Sequence, residues 1–170
     1  MENTEEAETK VYHRSEYANK DFWNDRFRES DGFFDWYADW DQLSQIKDLV
    51  SCDSNPKILM VGCGNSKLSE QMYKDGYTDI VNIDISDVVI SKMTEIYSTS
   101  CPLMKWVVAD ATNMPEFESD TFDIVIDKGT FDALACDKDT HPEKYLIKEM
   151  MRVVKPNSYL IEISNGTPEK

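Results

Sequence analysis

Two glycines and two aspartates stand directly after apolar runs, in an order that suits the binding of a nucleoside. Gly62 and Gly64 form a Gly-x-Gly turn after one such run. Asp84 ends the next run, 22 residues after Gly62, and Asp110 ends a third run. A carboxylate at that distance from a glycine turn can accept hydrogen bonds from both hydroxyls of a ribose. The spacing therefore predicts an adenosine pocket at the carboxyl ends of three strands.

The turn lacks the third glycine of the dinucleotide-binding fingerprint, because Lys67 stands in its place. That glycine lets a helix pack closely beneath a pyrophosphate. A cofactor without phosphates needs only the tight turn and its free backbone N–H groups, which can receive a carboxylate. S-adenosylmethionine fits this description, since it combines an adenosine with a sulfonium and an amino-acid end. The glycine turn alone also suits an ordinary strand–helix connection, but together with Asp84 and Asp110 it favours S-adenosylmethionine.

The pattern around these residues predicts strands that alternate with helices. Ser86 is a predicted N-cap, and Pro142 is predicted as the first residue of a helix. Alternation of this kind predicts an α/β fold: a doubly wound, Rossmann-like, mainly parallel sheet with helices on both faces, which binds ligands at the carboxyl ends of its strands. The predicted strands are 57–61, 79–84, 104–109, 122–127 and 158–163, and the predicted helices are 14–29, 41–51, 66–75, 86–98 and 142–154.

Composition narrows the class of protein. The net charge is −15, from 33 acidic and 18 basic residues. This charge disfavours nucleic acid as a partner and favours a basic protein, although it equally suits plain solubility. We expect no membrane span and no metal, reduced thiols at the four scattered cysteines, and a cytoplasmic location. Residues 1–12 are predicted to be a disordered acidic tail and residues 13–170 to be one domain.

Four segments in this order resemble the class I, or seven-strand, S-adenosylmethionine-dependent methyltransferases. More narrowly, they resemble the methyltransferase-like group that includes the lysine methyltransferases of translation elongation factor 1-alpha. The likeness covers roughly residues 14–165. The segments are Asp21-Phe22-Trp23-Asn24-Asp25-Arg26-Phe27, Phe34-Asp35-Trp36-Tyr37, Gly62-Cys63-Gly64-Asn65-Ser66 and Asp127-Lys128-Gly129-Thr130-Phe131-Asp132-Ala133-Leu134.

The resemblance implies a role for individual residues in holding S-adenosylmethionine, whose product is S-adenosylhomocysteine. The glycine turn would approach the methionine end, Asp84 would hold the ribose hydroxyls, and Asp110 would accept from the adenine amino group. Aromatic residues of the N-terminal segment would close over the cofactor, although Phe27 stands where many relatives have a tyrosine. The implied cofactor-binding residues are Trp23, Phe27, Trp36, Gly62, Gly64, Asp84, Ile85, Asp110, Ala111 and Lys128.

Several of these residues have a structural alternative. Trp23, Phe27 and Trp36 also suit ordinary core packing. Lys128 lines the pocket by resemblance, but it also suits a lysine that turns away to pair with Asp127 or Asp132. Asp127 is a weak candidate for the carboxylate that accepts the proton of an acceptor amine. Hydrogen bonding within its own turn is an equal alternative for Asp127.

The resemblance also implies two further strands, which the chain is expected to lack. Strand 158–163 is then predicted to be an exposed edge that pairs with a second copy or with another partner. The leading functional prediction is a methyltransferase that acts on a protein lysine, with an elongation factor 1-alpha-like substrate implied by resemblance. Two alternatives stay open: an inactive cofactor-binding module that works through a protein partner, and a small-molecule methyltransferase.

Overall fold

A computed structural model describes residues 14–50 and 54–166. Its centre is a five-stranded sheet in the order β3-β2-β1-β4-β5, and every neighbouring pair of strands is parallel. The predicted fold class is thereby confirmed. The strands are β1 (Ile58–Val61), β2 (Ile80–Asp84), β3 (Lys105–Val108), β4 (Phe122–Lys128) and β5 (Val154–Ile163).

The strand order places a topological switch point between β1 and β4. The chain builds outward from β1 through β2 to β3, and then crosses to β4 on the other side of β1. Ile58 of β1 is accordingly in register with Ile80 on one side and with Ile124 on the other. Doubly wound sheets bind ligands in the crevice at such a point, because the connections there diverge to opposite faces. The predicted pocket therefore belongs beside Gly62 and the end of β4.

Helices cover both faces of this sheet, as the alternating pattern predicted. The helices are α1 (Lys20–Glu29), α2 (Ser44–Leu49), α3 (Leu68–Lys74), α4 (Asp87–Tyr97), α5 (Thr130–Leu134) and α6 (Glu143–Val153), with 3-10 turns at Arg14–Ala18 and Asp41–Leu43. Side chains alternate along the strands: Ile58 and Met60 pack on the face of α3 and α4, and Leu59 and Val61 on the face of α6. Two apolar layers thus fix the sheet from both sides.

The predicted helix over residues 14–29 is wrong in its continuity. A 3-10 turn ends at Ala18, and α1 starts two residues later. Asn19 separates them because its extended backbone and its side chain, which accepts from the N–H of Asp21 at 2.8 Å, form an N-cap. The predicted helix over 41–51 likewise splits into a 3-10 turn and α2.

Other boundaries confirm or correct the sequence pattern locally. Ser86 is the N-cap of α4 and accepts from the N–H of Val89. Pro142 occupies the N-cap position of α6 and not its first helical position. The five-residue α5 escaped prediction, because it is too short for a helical repeat and follows Gly129 with φ +91. Strand β5 begins four residues earlier than predicted and carries a register irregularity opposite Phe122–Ile124.

Strand β5 forms one edge of the described sheet, as predicted, and β3 forms the other. Within residues 14–50 and 54–166, the two additional strands of a seven-strand arrangement are not present. No helix in the described ranges is both long and apolar enough to traverse a lipid bilayer. The predicted acidic tail over residues 1–12 lies outside the described residues.

Candidate functional site

A cavity opens at the switch point, above the carboxyl ends of β1, β2 and β4. It holds about 1020 Å³ of space free of protein atoms, its open mouth included. That size suits a small-molecule cofactor. All of the residues that the resemblance implied for the cofactor lie around it: Trp23, Phe27, Trp36, Gly62, Gly64, Asp84, Ile85, Asp110, Ala111 and Lys128. The structure brings this set together, and the contact that each makes with a cofactor stays a prediction.

The glycine turn is shaped by close contact as well as by backbone conformation. Gly62 has φ +55, and a Cβ atom built on it would lie 1.9 Å from Oγ1 of Thr130. Gly64 has φ +50 and faces the ring of Phe27. Both positions favour glycine, because L side chains rarely adopt these angles. The turn therefore leaves backbone where side chains would otherwise fill the floor of the cavity.

Asp84 lies at the end of β2 with its carboxylate against this turn. Its Oδ2 accepts from the N–H of Gly64 at 2.9 Å, and its Oδ1 accepts from the N–H of Ser86 at 2.9 Å. Burial raises the pKa of Asp84 to about 6, against the lowering effect of these hydrogen bonds. A buried carboxylate on the wall of a cavity suits the hydroxyl donors of a ribose, as the sequence predicted.

The adenine end of the predicted site lies on the loops after β2 and β3. Asp110 accepts from the N–H and the hydroxyl of Thr112 at 2.8 Å and 2.7 Å through a single oxygen, Oδ1. Within the described ranges, its Oδ2 has no hydrogen-bond partner. Ile85 and Ala111 also line the cavity. The arrangement offers one carboxylate oxygen and apolar surface, which together suit an aminopurine.

Aromatic side chains of the N-terminal segment cover the cavity. The rings of Trp23 and Phe27 stack with centroids 5.8 Å apart, and Nε1 of Trp23 donates to the carbonyl of Tyr17 at 2.7 Å. Phe27 belongs to the buried core and also lines the cavity, so its core packing is confirmed and its contact with a cofactor stays a prediction. Trp36 packs near Gly129 yet remains 40% exposed. An aromatic cover of this kind attracts a cation such as a sulfonium.

Residues 30–40, which we call the strap, cross from α1 to the carboxyl end of β4 and are held chiefly by side chains. Nζ of Lys128 donates to Oδ1 of Asp35 at 2.8 Å and to the carbonyl of Trp36 at 3.0 Å. The suggested pairing of Lys128 with Asp127 or Asp132 is therefore wrong, because Asp35 of the strap lies nearer. Asp35 also accepts from the hydroxyl of Ser66 and from the N–H of Lys67.

Asp127, the weak candidate for a proton acceptor, is buried behind the cavity wall. Its two oxygens accept from the N–H groups of Thr130 and Phe131 at 3.0 Å and 2.8 Å, at the start of α5. Burial raises the pKa of Asp127. Partial burial and the negative charge of the neighbouring Asp127 raise the pKa of Glu162. Asp127 is not among the described residues that line the cavity. This geometry favours the turn-forming role that the sequence left open.

Sequence reasoning missed several residues that shape this site. In the sequence, Asp35 belongs to one of the family segments, but no pattern indicates a role for it. Thr130 limits the space above Gly62, and Tyr37 donates from its hydroxyl to Asp132 at 2.7 Å. The positive φ of Tyr37, +64, marks a tight turn in the strap that no sequence pattern indicated. Their partners lie far away in the sequence, so spacing alone carried no signal for them.

The comparisons with known proteins assign the class. A family model described as a methyltransferase domain matches residues 59–161. That range is more than half of the chain, and the chain belongs to this family, within the class I S-adenosylmethionine-dependent methyltransferases. S-adenosylmethionine is accordingly its cofactor. The glycine turn, the buried carboxylate of Asp84 and the aromatic cover have the chemistry that suits the amino-acid end, the ribose and the sulfonium of that molecule.

Within this class the chain is related to methyltransferases of elongation factor 1-alpha. It is 40% identical over 157 residues to the eEF1A lysine and N-terminal methyltransferase homolog of Drosophila melanogaster, covering 89% of this chain and 23% of that protein. It is 42% identical over 125 residues to the eEF1A lysine and N-terminal methyltransferase of Homo sapiens, covering 73% of this chain and 18% of that protein. The chain thus spans about a fifth of the length of these curated relatives.

A solved structure gives an independent view of the fold. The Haemonchus contortus phosphoethanolamine N-methyltransferase 1, determined with phosphoethanolamine and S-adenosylhomocysteine, superposes with a TM-score of 0.67 at 15% identity. The match covers 92% of this chain and 33% of that chain. At this level of identity, the likeness shows the fold alone.

Proposed function

We propose that this domain transfers a methyl group from S-adenosylmethionine to an amine of a protein, namely a lysine of an elongation factor 1-alpha-like substrate. The observation that carries the proposal is the cavity at the switch point, where the glycine turn, Asp84 and the aromatic cover converge. The acceptor is inferred from the relatives, whose names specify lysine and N-terminal methylation of eEF1A. The net charge of −15 supports a basic protein partner through complementary fields.

When bound, S-adenosylmethionine supplies a methyl group that is already activated on a sulfonium. The protein then has to bind the cofactor, orient the acceptor and exclude water. Asp84 and the backbone of the glycine turn would bind and orient the nucleoside and its amino-acid end. Trp36 and Phe34 would line the approach of the amine, since both lie on the cavity wall and both are partly exposed.

A lysine acceptor must lose its proton before it attacks. Apolar and aromatic surroundings lower the pKa of an amine, because they disfavour its charged form. The rings of Trp36 and Phe34 on the cavity wall would supply such surroundings for the incoming lysine side chain. Asp127 remains a candidate for accepting the proton, although its oxygens already accept two backbone N–H groups. The cytosol remains the proposed location, since this is where a translation factor acts.

The experiment combines binding with transfer. S-adenosylmethionine labelled in its methyl group is incubated with the domain and purified elongation factor 1-alpha, and labelled peptides are identified by mass spectrometry. We expect the wild-type domain to label a lysine. The label should be lost with Asp84→Asn, because an amide accepts the hydrogen bonds of the ribose hydroxyls less strongly than a carboxylate does. Asp123→Asn serves as the matched control, since Asp123 pairs with Lys155 at the amino end of β4, away from the cavity.

The same experiment separates the alternatives. Label on the N-terminal amine instead of a lysine would replace the acceptor but keep protein methylation. In a parallel incubation to which phosphoethanolamine is added, label on this small amine and none on protein would favour a small-molecule methyltransferase. Cofactor binding without any transfer would favour the cofactor-binding module and contradict the proposed activity.

A further inference from the structure

Lys128 brings a positive charge to the wall of a cavity whose cofactor is itself a cation. Its side chain is only 5% exposed, and Lys128 lines the cavity. Unpaired, an ammonium in this position would repel a sulfonium, and the repulsion would be strong because burial reduces screening by water. The site therefore requires an explanation of how this charge is compensated.

Asp35 of the strap supplies the compensating charge. Its Oδ1 lies 2.8 Å from Nζ of Lys128, and the carboxylate is itself largely shielded, with 22% of its side chain exposed. Burial alone would raise the pKa of Asp35, but the hydrogen bonds from Lys128 and Ser66 outweigh burial and hold the pKa below its usual value. Asp35 consequently stays ionised at neutral pH and pairs with the lysine.

The same carboxylate joins three walls of the cavity. Asp35 lies on the strap beside Trp36, Lys128 ends β4, and Ser66 and Lys67 follow the glycine turn. Few backbone hydrogen bonds tie the described strap to the rest of the fold, one of them from Phe34 to the carbonyl of Asn65 at 3.4 Å. Side-chain contacts such as those of Asp35 therefore set the position of the strap over the cavity.

We propose that Asp35 is a positioning residue that neutralises Lys128 and thereby removes a repulsion that would otherwise weaken the binding of the cationic cofactor relative to its neutral product. S-adenosylmethionine carries the sulfonium charge, whereas S-adenosylhomocysteine lacks it. The carboxylate of Asp35 balances the positive charge of Lys128, so that the sulfonium can bind near this lysine without repulsion. This inference rests on the cofactor, and the identity of the methyl acceptor does not enter it.

The test compares the affinities of the two ligands by isothermal titration calorimetry. Asp35→Asn leaves the lysine uncompensated, and we expect S-adenosylmethionine to bind about tenfold more weakly relative to S-adenosylhomocysteine. Lys128→Met leaves Asp35 charged, and we expect the ratio to shift in the opposite direction. The double variant Asp35→Asn/Lys128→Met should restore the ratio of the wild-type domain. A purely structural role of Asp35 would weaken both ligands by the same factor.

The control is a second Asp–Lys pair, which joins β4 to β5. Asp123 and Lys155 lie 2.7 Å apart at the amino end of β4, away from the cavity. We expect Asp123→Asn and Lys155→Met to leave the affinity ratio unchanged. Thermal unfolding of each ligand-free variant shows whether it is folded, and the opposite shift of Lys128→Met tests the proposal even if Asp35→Asn does not fold. An equal loss for both ligands in Asp35→Asn, or an unchanged ratio in Lys128→Met, would overturn the proposal, whether or not the domain methylates a protein.

Discussion

Asp84 shows how one residue can combine a structural and a binding role. Its carboxylate fixes the glycine turn through Gly64 and the start of α4 through Ser86. Because burial raises its pKa from the usual 3.8 to about 6, the folded ligand-free domain keeps this proton at pH values where the unfolded chain has lost it. This contribution to folding stability is present below the unfolded pKa and is lost as the pH rises through about 6.

Cofactor affinity should depend on pH in the opposite sense. Hydroxyl donors of the ribose favour the ionised carboxylate, so binding requires the proton of Asp84 to leave. We expect the affinity for S-adenosylhomocysteine to fall about tenfold between about pH 7.5 and about pH 5. At the lower pH, which is about one unit below the pKa of Asp84, only about a tenth of this carboxyl group is ionised. Calorimetry over this range measures the effect. An equal pH dependence in Asp84→Asn would assign it to another group.

At the scale of elements, the short helix α5 follows β4 and packs against the glycine turn that forms the floor of the cavity. Thr130 at its start limits the space above Gly62, and Asp127 accepts the two N–H groups of its first turn. Helix N-termini leave such groups without partners inside the helix, so a carboxylate there stabilises the element. Asp127 thus determines where α5 begins and, through Thr130, how closely it approaches the cavity floor.

Replacement of Asp127 separates its two possible roles. If it caps α5, Asp127→Ala should lower the free energy of unfolding by about 1–2 kcal/mol, with a comparable loss of cofactor affinity through the displaced Thr130. Denaturant unfolding and calorimetry measure both effects. A base for the acceptor amine would behave differently: stability and binding would be preserved, while single-turnover methyl transfer would slow and shift in its pH profile.

At the scale of the whole molecule, β5 forms an edge of the sheet among the described residues, whereas helices cover both faces of that sheet. Strand β5 (Val154–Ile163) pairs with β4 on one side, and Tyr159 is 44% exposed. Long edge strands pair with further strands unless charge or cover prevents it. The predicted partner or second copy at this edge therefore remains the expected use of β5.

Self-association through this edge should respond to a single charge. We expect Tyr159→Lys to raise the dissociation constant of a dimer about tenfold, or about 1.4 kcal/mol, because like charges would face each other across the new strand pair. Sedimentation velocity over a concentration series measures the change. Tyr145→Lys on the exposed face of α6 is the control. Equal effects of the two substitutions would exclude the β5 edge as the contact.

The sequence by itself determined the alternation of strands and helices, and it located the glycine turn and both carboxylates, Asp84 and Asp110, that line the cavity. These features follow from local rules: apolar runs form buried strands, and Gly62 and Gly64 permit a tight turn. Tertiary structure alone decided the partner of Lys128, because Asp35 is 93 residues away and no spacing rule connects them. It also decided which N–H groups Asp127 accepts, since the helix at whose start they lie is too short to leave a repeat. Local patterns thus predict elements and strand ends, whereas the packing of distant segments determines which charges meet.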